Sequence, residues 1–456
     1  MRYRYRSEEE LKDSGVEWIG KIPKDWEVGK FKYSSLLYTG NSIKDNEKDN
    51  YTDSESSYPY ISTKDINIDY NTINYDNGMY TKVDDKTFKI ANKDSILICI
   101  EGGSAGRKIS YLNQNVSFVN KLCCIQSSKV NSKFQYYYCN SDSFKKEFSL
   151  NMSGLIGGVS VSALNNFRLV NPSLFEQEKI ANFLDEKTSQ FDLIISKKEK
   201  LIERLEEAKK SLISEVVTGK VKVVKTDDGY ELIKRSSEEM KDSGIEWLGE
   251  IPKDWEVKKL KYIATINPPK SSVKKFVDED IDVSFVPMDS VRLGNIKLDK
   301  TKKISEVIDG YTLFEDNDIV MAKVTPCFEN RNIAICKGLK NKIGFGSSEL
   351  NTIRVYENKD IKFMFYHLQE QKFMDTATYQ MTGAGGLKRV PTSFLLNAQF
   401  TYPSDNEKEM IVSYLENYID KIDNISEKTK EQIEKLKEAK QSLISEAVTG
   451  KIEILD

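Results

Sequence analysis

The sequence predicts an α+β fold in which two globular α/β modules are separated by two long helices that form an antiparallel coiled coil, with an internal pseudo-two-fold duplication. Two repeats support this prediction. Glu207–Lys220 (EAKKSLISEVVTGK) recurs as Glu438–Lys451 (EAKQSLISEAVTGK), and Asp13–Val28 (DSGVEWIGKIPKDWEV) recurs as Asp242–Val257 (DSGIEWLGEIPKDWEV). Because the repeated unit is about half of the chain, we interpret it as one duplication and not as a solenoid of short repeats.

Each half of the chain begins with a segment that we call the Trp/Pro motif, Asp13–Val28 in the first half and Asp242–Val257 in the second. Two tryptophans in so short a segment need a surface that covers them. We therefore predict a docking segment in residues 1–28, and a linker followed by the second docking motif in residues 220–257. The linker, Lys220–Met240, is polar and has a turn signal at Asp227–Gly229, which indicates a short hairpin or linker.

A variable module follows each motif, at residues 29–173 and 258–404. Short runs of β-formers between turn signals predict strands, and a helical pattern follows them. In the first module the predicted strands are Tyr58–Ile61, Ser95–Ile100, Lys108–Leu112 and Leu122–Gln126, and the predicted helix is Lys133–Phe148. The matching landmarks of the second module are Phe285-Val286 for Tyr60-Ile61, Ile319-Val320 for Ile96-Leu97, and Gly385-Gly386 for the Gly157-Gly158 end of the loop Gly154–Gly158.

A long helix closes each half, predicted over Leu174–Thr218 and Asn406–Thr449 within the segments 174–219 and 405–456. Apolar residues recur at intervals of three and four between charged ones, which is typical of a coiled coil. Gly219 supplies a stop signal after the first helix. The helices align without a gap at an offset of 231 residues, so each is the natural antiparallel partner of the other. About 44 helical residues at about 1.5 Å each give roughly 65 Å.

Composition excludes several classes of protein. The net charge of −3 argues against a uniformly basic nucleic-acid binder. The two modules are nevertheless mildly basic: residues 29–170 contain 17 Lys and Arg against 14 Asp and Glu, and residues 258–402 contain 22 against 17. Six cysteines without a CxxC pair favour reduced, mostly buried thiols over a zinc site or disulfides. No apolar run is long enough to span a membrane, and the first residues lack a signal-peptide core, so we expect a cytoplasmic protein.

Three features taken together resemble the specificity (S) subunit of type I restriction–modification systems: the duplicated DSGxEWxGxIPxDWEV motif, the glycine loop that leads to a proline before each long helix, and the EAKxSLISExVTGK helix ends. The resemblance covers essentially the whole chain. It implies that each module is a target recognition domain that reads one half of a split, asymmetric DNA sequence. It also implies that the coiled coil spaces the two domains.

The same resemblance implies a set of partners: double-stranded DNA, two methyltransferase (modification) subunits and endonuclease/translocase (restriction) subunits, with no membrane. This chain would then be non-catalytic and hold no metal or cofactor, S-adenosylmethionine being bound by the partner methyltransferase. Subunit docking is expected at the Trp/Pro motifs and the helices. The candidate docking residues are Trp18, Trp26, Trp247, Trp255, Leu205, Leu212, Leu436 and Leu443.

Motifs that could carry catalysis are weak. Asn267-Pro268-Pro269-Lys270 lacks the aromatic residue with which an adenine-methyltransferase loop stacks on a flipped base. Gly102–Lys108 fails the spacing of a phosphate-binding loop. The single histidine, His367, lies in an aromatic helical run, which favours a satisfied, partly buried side chain over a general base.

We therefore expect the function to lie in DNA contacts made by the loops that follow the shared strands, because Arg, Lys, Asn, Ser and Thr can reach base edges or phosphates there. The candidates are Ser62, Thr63, Lys64, Arg107, Lys108, Asn120 and Lys121 in the first module, and Arg292, Lys323, Arg331, Asn332, Ser347, Lys388 and Arg389 in the second. A plain surface role is the alternative for each. Two other functions stay open: a coiled-coil adaptor that binds proteins, and a stand-alone DNA methyltransferase or nuclease.

Overall fold

Two α-helices of 44 residues each, Leu174–Val217 and Asp405–Val448, run through the protein. The computed structural model describes residues 2–154, 157–227, 229–384 and 386–455. The chain forms two compact units: unit 1 combines residues up to Lys200 with those from Thr429 onward, and unit 2 comprises Leu201–Lys428. Each long helix therefore contributes one part to each unit. Leu155, Ile156, Asp228 and Gly385, which belong to predicted loops, lie outside the described residues.

Strands and helices follow one another in nearly the same order in the two halves of the chain. The first half contains β1 (Tyr3–Tyr5), β2 (Leu11–Asp13), β3 (Lys21–Pro23), β4 (Glu27–Lys30), β5 (Ser35–Thr39), β6 (Ser57–Ile61), β7 (Tyr80–Lys82), β8 (Ile90–Ala91), β9 (Ile96–Cys99), β10 (Ile109–Tyr111), β11 (Val116–Phe118), β12 (Leu122–Ser127), α1 (Ser132–Asn140), α2 (Asp142–Leu150), α3 (Val161–Leu164), β13 (Arg168–Asn171) and α4 (Leu174–Val217). The second half contains β14 (Val221–Thr226), β15 (Gly229–Lys234), β16 (Met240–Asp242), β17 (Glu250–Pro252), β18 (Glu256–Lys259), β19 (Ala264–Ile266), β20 (Asp282–Val286), β21 (Val291–Arg292), β22 (Asn295–Ile296), β23 (Thr301–Lys303), α5 (Ile304–Val307), β24 (Thr312–Glu315), β25 (Ile319–Ala322), β26 (Ile333–Ile335), β27 (Ile343–Gly346), β28 (Leu350–Val355), α6 (Ile361–His367), α7 (Gln371–Tyr379), α8 (Thr392–Asn397), β29 (Gln399–Tyr402), α9 (Asp405–Val448) and β30 (Ile452–Ile454).

Unit 1 is built on two four-stranded sheets. One has the order β10-β9-β12-β5 and is antiparallel, and the other has the order β7-β6-β11-β8, with β6 and β11 parallel. Strand β9 is buried on both faces, since Ile96 and Ile98 join the core that contains α1 and α2, while Leu97 and Cys99 join a second core with Phe118 of β11. This alternation follows from the two-residue period of a strand. The continuous apolar sequence at Ile96–Cys99 is explained by this double burial.

Unit 2 repeats the plan of unit 1. Its two four-stranded sheets have the orders β26-β25-β28-β19 and β23-β20-β27-β24, and β20 and β27 are again the parallel pair. The registers correspond, because Phe118 pairs with Ile61 in unit 1 and Gly346 pairs with Val286 in unit 2. Two-stranded ribbons β4–β13 and β18–β29 close the respective modules. The predicted duplicated α+β fold is confirmed.

The long helices pack together in antiparallel fashion. In unit 1 the Lys440 ammonium lies 2.6 Å from Asp192, and Lys198 donates to Gln432 at 2.6 Å, so residue numbers rise along α4 as they fall along α9. In unit 2 the end of α4 shares one apolar core with the start of α9, and the Lys209 ammonium lies 2.7 Å from Asp423. The predicted coiled-coil pairing is therefore present in each unit.

Both long helices end where the sequence predicts. Gly219 and Gly450 follow them with φ of 75° and 73°, the left-handed conformation that glycine adopts without strain. The predicted linker after Gly219 is the hairpin β14–β15. Within the described residues, no helix combines the length and the apolar character that a membrane crossing requires.

Three local predictions were wrong. The predicted helix Lys133–Phe148 is two helices, because Ser141 adopts an extended conformation and its hydroxyl caps α2 by accepting from the Phe144 N–H. His367 is fully buried and not partly buried. The Thr401 N–H donates to its Nε2 at 3.2 Å, and burial lowers the pKa of the imidazole to about 3.

The third correction concerns the glycine loop that was matched between the modules. Gly158 forms β-bridges with Glu101 and Ser153, whereas the same two bridges in the second module are formed by Arg389 with Val324 and Thr382. Arg389, and not Gly386, therefore takes the structural place of Gly158. The loop of the second module is longer before this point, which sequence matching of the glycines could not reveal.

Candidate nucleic-acid interface

The residues predicted to contact DNA cluster mainly where the parallel strands end. In the first module the Val119 N–H donates to the Ile61 carbonyl at 2.9 Å, and the Ile100 N–H donates to the Lys121 carbonyl at 3.0 Å. These bonds join the loops after β6, β9 and β11. Gly158 lies beside these loops through its β-bridge with Glu101. We call the resulting surface, residues 61–64, 100–108, 119–121 and 157–159, the strand-end edge of the first module.

Three of the predicted polar side chains on this edge also hold the loops in place. The Ser62 hydroxyl donates to Asp65 at 2.6 Å, the Lys108 ammonium donates to the Thr63 carbonyl at 2.6 Å, and Asn120 accepts from the Ser42 hydroxyl at 2.7 Å. Part of the hydrogen-bonding capacity of these three side chains is therefore used by contacts within the chain.

Lys64, Arg107 and Lys121 extend from the same edge and are exposed. The edge therefore combines cationic side chains that can reach a phosphate with short polar groups that are fixed by the loops.

The second module has an equivalent strand-end edge, formed by residues 323–325, 347–349 and 388–390. The Lys323 N–H donates to the Glu349 carbonyl at 2.9 Å, and the Val390 N–H donates to the Lys323 carbonyl at 2.8 Å. The Ser347 hydroxyl accepts from the Glu349 N–H at 3.2 Å. Four predicted residues, Lys323, Ser347, Lys388 and Arg389, are therefore brought together here.

An ion pair fixes the orientation of Arg389 on this edge. Its Nε and Nη2 atoms donate to the two carboxylate oxygens of Glu349, each at 2.7 Å. The hydrogen bonds raise the pKa of Arg389 and hold the pKa of Glu349 below its usual value. Sequence reasoning missed Glu349, because 40 positions separate it from Arg389 and a lone acidic residue before a strand gives no signal of its partner.

Arg292, Arg331 and Asn332 do not join this cluster of side chains, although the Ala322 N–H donates to the Asn332 carbonyl at 2.9 Å and so places Asn332 beside Lys323. Asn332 is 7% exposed, which leaves its side chain no access to DNA in this conformation. The Arg331 guanidinium donates to Gln371 of α7, and burial lowers its pKa. Arg292 donates to the Val291 carbonyl at 2.9 Å on the exposed β21–β22 turn.

The Trp/Pro motifs bind the ends of the long helices. Trp26 is 1% exposed, and its indole N–H donates to Glu176 at the start of α4 at 3.3 Å. A Cβ added to Gly450, just after α9, would lie 2.4 Å from Pro23 and 3.0 Å from the Trp26 ring. The motif therefore holds the start of one helix against the end of the other.

Unit 2 repeats this arrangement. The indole N–H of Trp255, which is 2% exposed, donates to Glu407 at 3.1 Å, and a Cβ on Gly219 would lie 2.5 Å from Pro252. We call the two assemblies the helix-end clasps. They give the buried Trp26 and Trp255 side chains a role within the chain and leave little of either for a partner subunit.

The other candidate docking residues are half-buried. The Trp18 indole N–H donates to Glu147 at 3.3 Å, and the Trp247 ring packs on Phe373 and Phe400. Leu205, Leu212, Leu436 and Leu443 lie half-buried on α4 and α9. Docking of a partner on these six residues stays a prediction.

Two copies of one α/β module, each preceded by a Trp/Pro motif and closed by a long helix, define a duplicated two-module class of protein. The chain belongs to the family of the type I restriction modification DNA specificity domain, whose model matches residues 23–206 and 252–435. The two matches start within the two Trp/Pro motifs and end within the two long helices.

Curated relatives come from bacteria and archaea. The chain is 35% identical over 210 residues to the type I restriction enzyme EcoEI specificity subunit of Escherichia coli, a match that covers 45% of this chain and 34% of that protein. It is 39% identical over 166 residues to the EcoAI specificity subunit of the same organism, covering 36% and 28%. These matches span about a third of each relative's length. The putative MjaX specificity subunit of Methanocaldococcus jannaschii is 26% identical over 462 residues, 96% of both chains.

The fold also resembles a solved structure. A chain from the work titled "Structural basis underlying complex assembly and conformational transition of the type I R-M system" superposes with a TM-score of 0.66 at 13% identity, covering 94% of this chain and 99% of that one. At this identity the likeness concerns the fold alone.

Proposed function

We propose that this chain is the DNA sequence-recognition subunit of a type I restriction–modification complex. Each module reads one half of an asymmetric, bipartite target in double-stranded DNA, and the coiled coil sets the spacing of the halves. The chain itself is non-catalytic. Two methyltransferase subunits, which bind S-adenosylmethionine, and the restriction subunits supply the chemistry, in the cytoplasm where the cellular DNA lies.

One observation supports this proposal above the others: the two modules share a framework but differ at the strand-end edge. At equivalent places the first module has Ile100, Lys121 and Gly158, and the second has Lys323, Glu349 and Arg389. The backbone bonds that define these places are the same in both. Two surfaces that differ in charge and shape on one scaffold fit the reading of two different half-sites.

The domain boundaries belong to the same proposal. Target recognition domains at residues 29–173 and 258–404 agree with the ribbons β4–β13 and β18–β29, which join the first and last strands of each module. The paired segments 174–219 and 405–456 serve as the spacer. The six half-buried residues Trp18, Trp247, Leu205, Leu212, Leu436 and Leu443 remain the docking candidates, together with the exposed parts of the motifs in segments 1–28 and 220–257.

The decisive experiment is base-modification sequencing of DNA from cells that express this chain with its modification subunits, and from cells that lack only this chain. We expect methylated adenine at one split, asymmetric motif that disappears with the chain. An unchanged methylome would contradict the proposal and favour the adaptor function. A chain in which the first module is replaced by a second copy of residues 258–404 is the matched control, and it should give a symmetric motif.

A further inference from the structure

We propose that Arg389 reads a guanine in the half-site bound by the second module, and that Glu349 positions it for this contact. The inference rests on the proposed function and names one base and one residue within it. Guanine presents two acceptors in the major groove, O6 and N7, and an arginine that donates to both makes the commonest specific contact in protein–DNA complexes.

The ion pair leaves the correct donors free. A guanidinium has five N–H groups, and Glu349 occupies Nε and one hydrogen of Nη2. The remaining contact of Nη1, with the Leu387 carbonyl, is 3.5 Å long and therefore weak. The outer end of the guanidinium, with Nη1 and the second hydrogen of Nη2, thus keeps the paired donors that O6 and N7 require.

The carboxylate also fixes the plane of the guanidinium before DNA binds. A free arginine loses about 2 kcal/mol of rotamer freedom when it is immobilised, and a bidentate partner meets part of this cost in advance. A carboxylate beside a polyanion is otherwise unfavourable. Lys323 offsets its charge, since the neighbouring ammonium contributes to the lowered pKa of Glu349.

A second arginine fork in the same module shows what a purely structural pair looks like. Arg354 donates through Nε and Nη2 to Asp318 at 2.8 and 2.7 Å, and its Nη2 also lies 3.0 Å from Glu315. Asp318 is buried, and Arg354 lies inside strand β28. Among the residues that the structure describes, Arg389 is paired with the single carboxylate of Glu349; its side chain is 43% exposed, and it lies on the strand-end edge.

The framework itself does not require the Arg389–Glu349 pair. In the first module Gly158 and Lys121 occupy the equivalent places, and no such ion pair can form between them. The backbone bond that joins the segments is nevertheless kept, with Val159 N–H to Ile100 carbonyl at 2.9 Å against Val390 N–H to Lys323 carbonyl at 2.8 Å. An ion pair that the shared fold can omit is explained by a function particular to the second module.

The test uses the full complex with modification subunits and the variants Arg389→Ala, Arg389→Lys, Glu349→Gln and Arg354→Gln. Methylome sequencing of the wild type should show a guanine in one half-site. Arg389→Ala should make that single position degenerate, or reduce adenine methylation at sites that carry the guanine about 5- to 150-fold. The effect should be smaller for Glu349→Gln and for Arg389→Lys. Arg354→Gln should lower thermal stability and leave the motif unchanged.

Base analogues test the contact with the wild-type protein and so do not depend on the folding of a variant. An oligonucleotide with 7-deazaguanine at the assigned position lacks N7 and should bind about 5-fold more weakly or worse. Inosine at the same position lacks only the minor-groove amino group and should bind unchanged. Arg389→Ala should not distinguish the two.

The outcomes separate this inference from the proposed function. A wild-type methylome without a split motif overturns the proposed function and the inference with it. A split motif that lacks guanine in both halves, that is unchanged in Arg389→Ala, or that tolerates 7-deazaguanine at every guanine overturns the role of Arg389 alone.

Discussion

Replacing Gly219 by alanine tests the helix-end clasp of unit 2 directly. The residue has a φ of 75°, where a side chain costs about 1–2 kcal/mol. Its new Cβ would also lie 2.5 Å from Pro252 and 2.9 Å from the buried ring of Trp255. Displacement of a packed core group costs about 1–3 kcal/mol more. We therefore expect a total loss of about 2–5 kcal/mol, the sum of these two ranges.

Gly249 provides the matched control. It has a φ of 68°, but a Cβ there would meet nothing within 4 Å. Gly249→Ala should cost only the conformational part, about 1–2 kcal/mol. The difference between the two variants measures the steric contact of the clasp, because the backbone strain is common to both.

The assay is thermal unfolding of the full chain followed by tryptophan fluorescence, since Trp255 lies in the affected contact. Gly219→Ala should lower the transition of unit 2 by several degrees more than Gly249→Ala does. Equal shifts for the two variants would refute the reasoning, because they would mean that Pro252 and Trp255 do not press on the helix end. Gly450→Ala and Gly20→Ala are the corresponding pair in unit 1.

Three further predictions concern charge. The free energy of unfolding should fall by about 1.4 kcal/mol for each pH unit below pH 6.5, down to the lowered pKa of about 3 of His367. The reason is that the unfolded chain binds a proton in this range while the buried imidazole stays neutral. Urea titrations between pH 5 and 7.5 should show this slope in the wild type and not in His367→Gln. Lys408→Gln should cost about 3–5 kcal/mol, because Lys408 and Asp360 are each 2% exposed and the carboxylate, which still accepts from the Tyr402 hydroxyl, loses its cationic partner. Adding Asp360→Asn should restore most of the loss, since unit 1 has Gln177 and Asn131 at the equivalent places. A double variant as unstable as the single one would contradict this. Lys121→Ala should weaken DNA binding by the complex equally on all sequences, and it should reduce the slope of log affinity against log salt concentration by about 0.9. An unchanged slope would show that Lys121 does not contact a phosphate.

The fold was predictable because the information lies in repeats and periodicity. Two copies of the helix end located both helices to within one residue, and Gly219 supplied the stop. The apolar sequence at Ile96–Cys99 located a strand, since burial on both faces leaves no polar positions. The break at Ser141 was missed although serine favours helix caps over helix interiors, because single serines also occur inside helices and packing decides between the two.

The candidate site was predicted less completely, because its geometry depends on contacts between distant segments. Loop positions after strands put Lys323, Lys388 and Arg389 among the candidates, and the structure brings these three residues together. Loop positions could not show that Asn332 turns inwards or that Arg331 binds α7, since burial of a loop residue is set by elements far away in sequence. The pairing of Glu349 with Arg389 could not be predicted either, because the two residues lie 40 positions apart.

Strand β1 pairs with β30, and the corresponding ribbon of unit 2 is the continuous hairpin β14–β15. One ribbon is thus made from two segments that lie far apart along the sequence, and the other from two segments joined by a turn. The two strands of a ribbon can form the same hydrogen bonds whether or not a turn joins them. The Leu455 N–H already donates to the Arg2 carbonyl at 2.9 Å. A circularly permuted chain could therefore be joined between these two residues and opened at the β14–β15 turn. Such a chain would keep every strand pairing described for either unit. The order in which the segments are joined is therefore separable from the strand pairing within each unit, and either ribbon offers a place at which two halves could be fused.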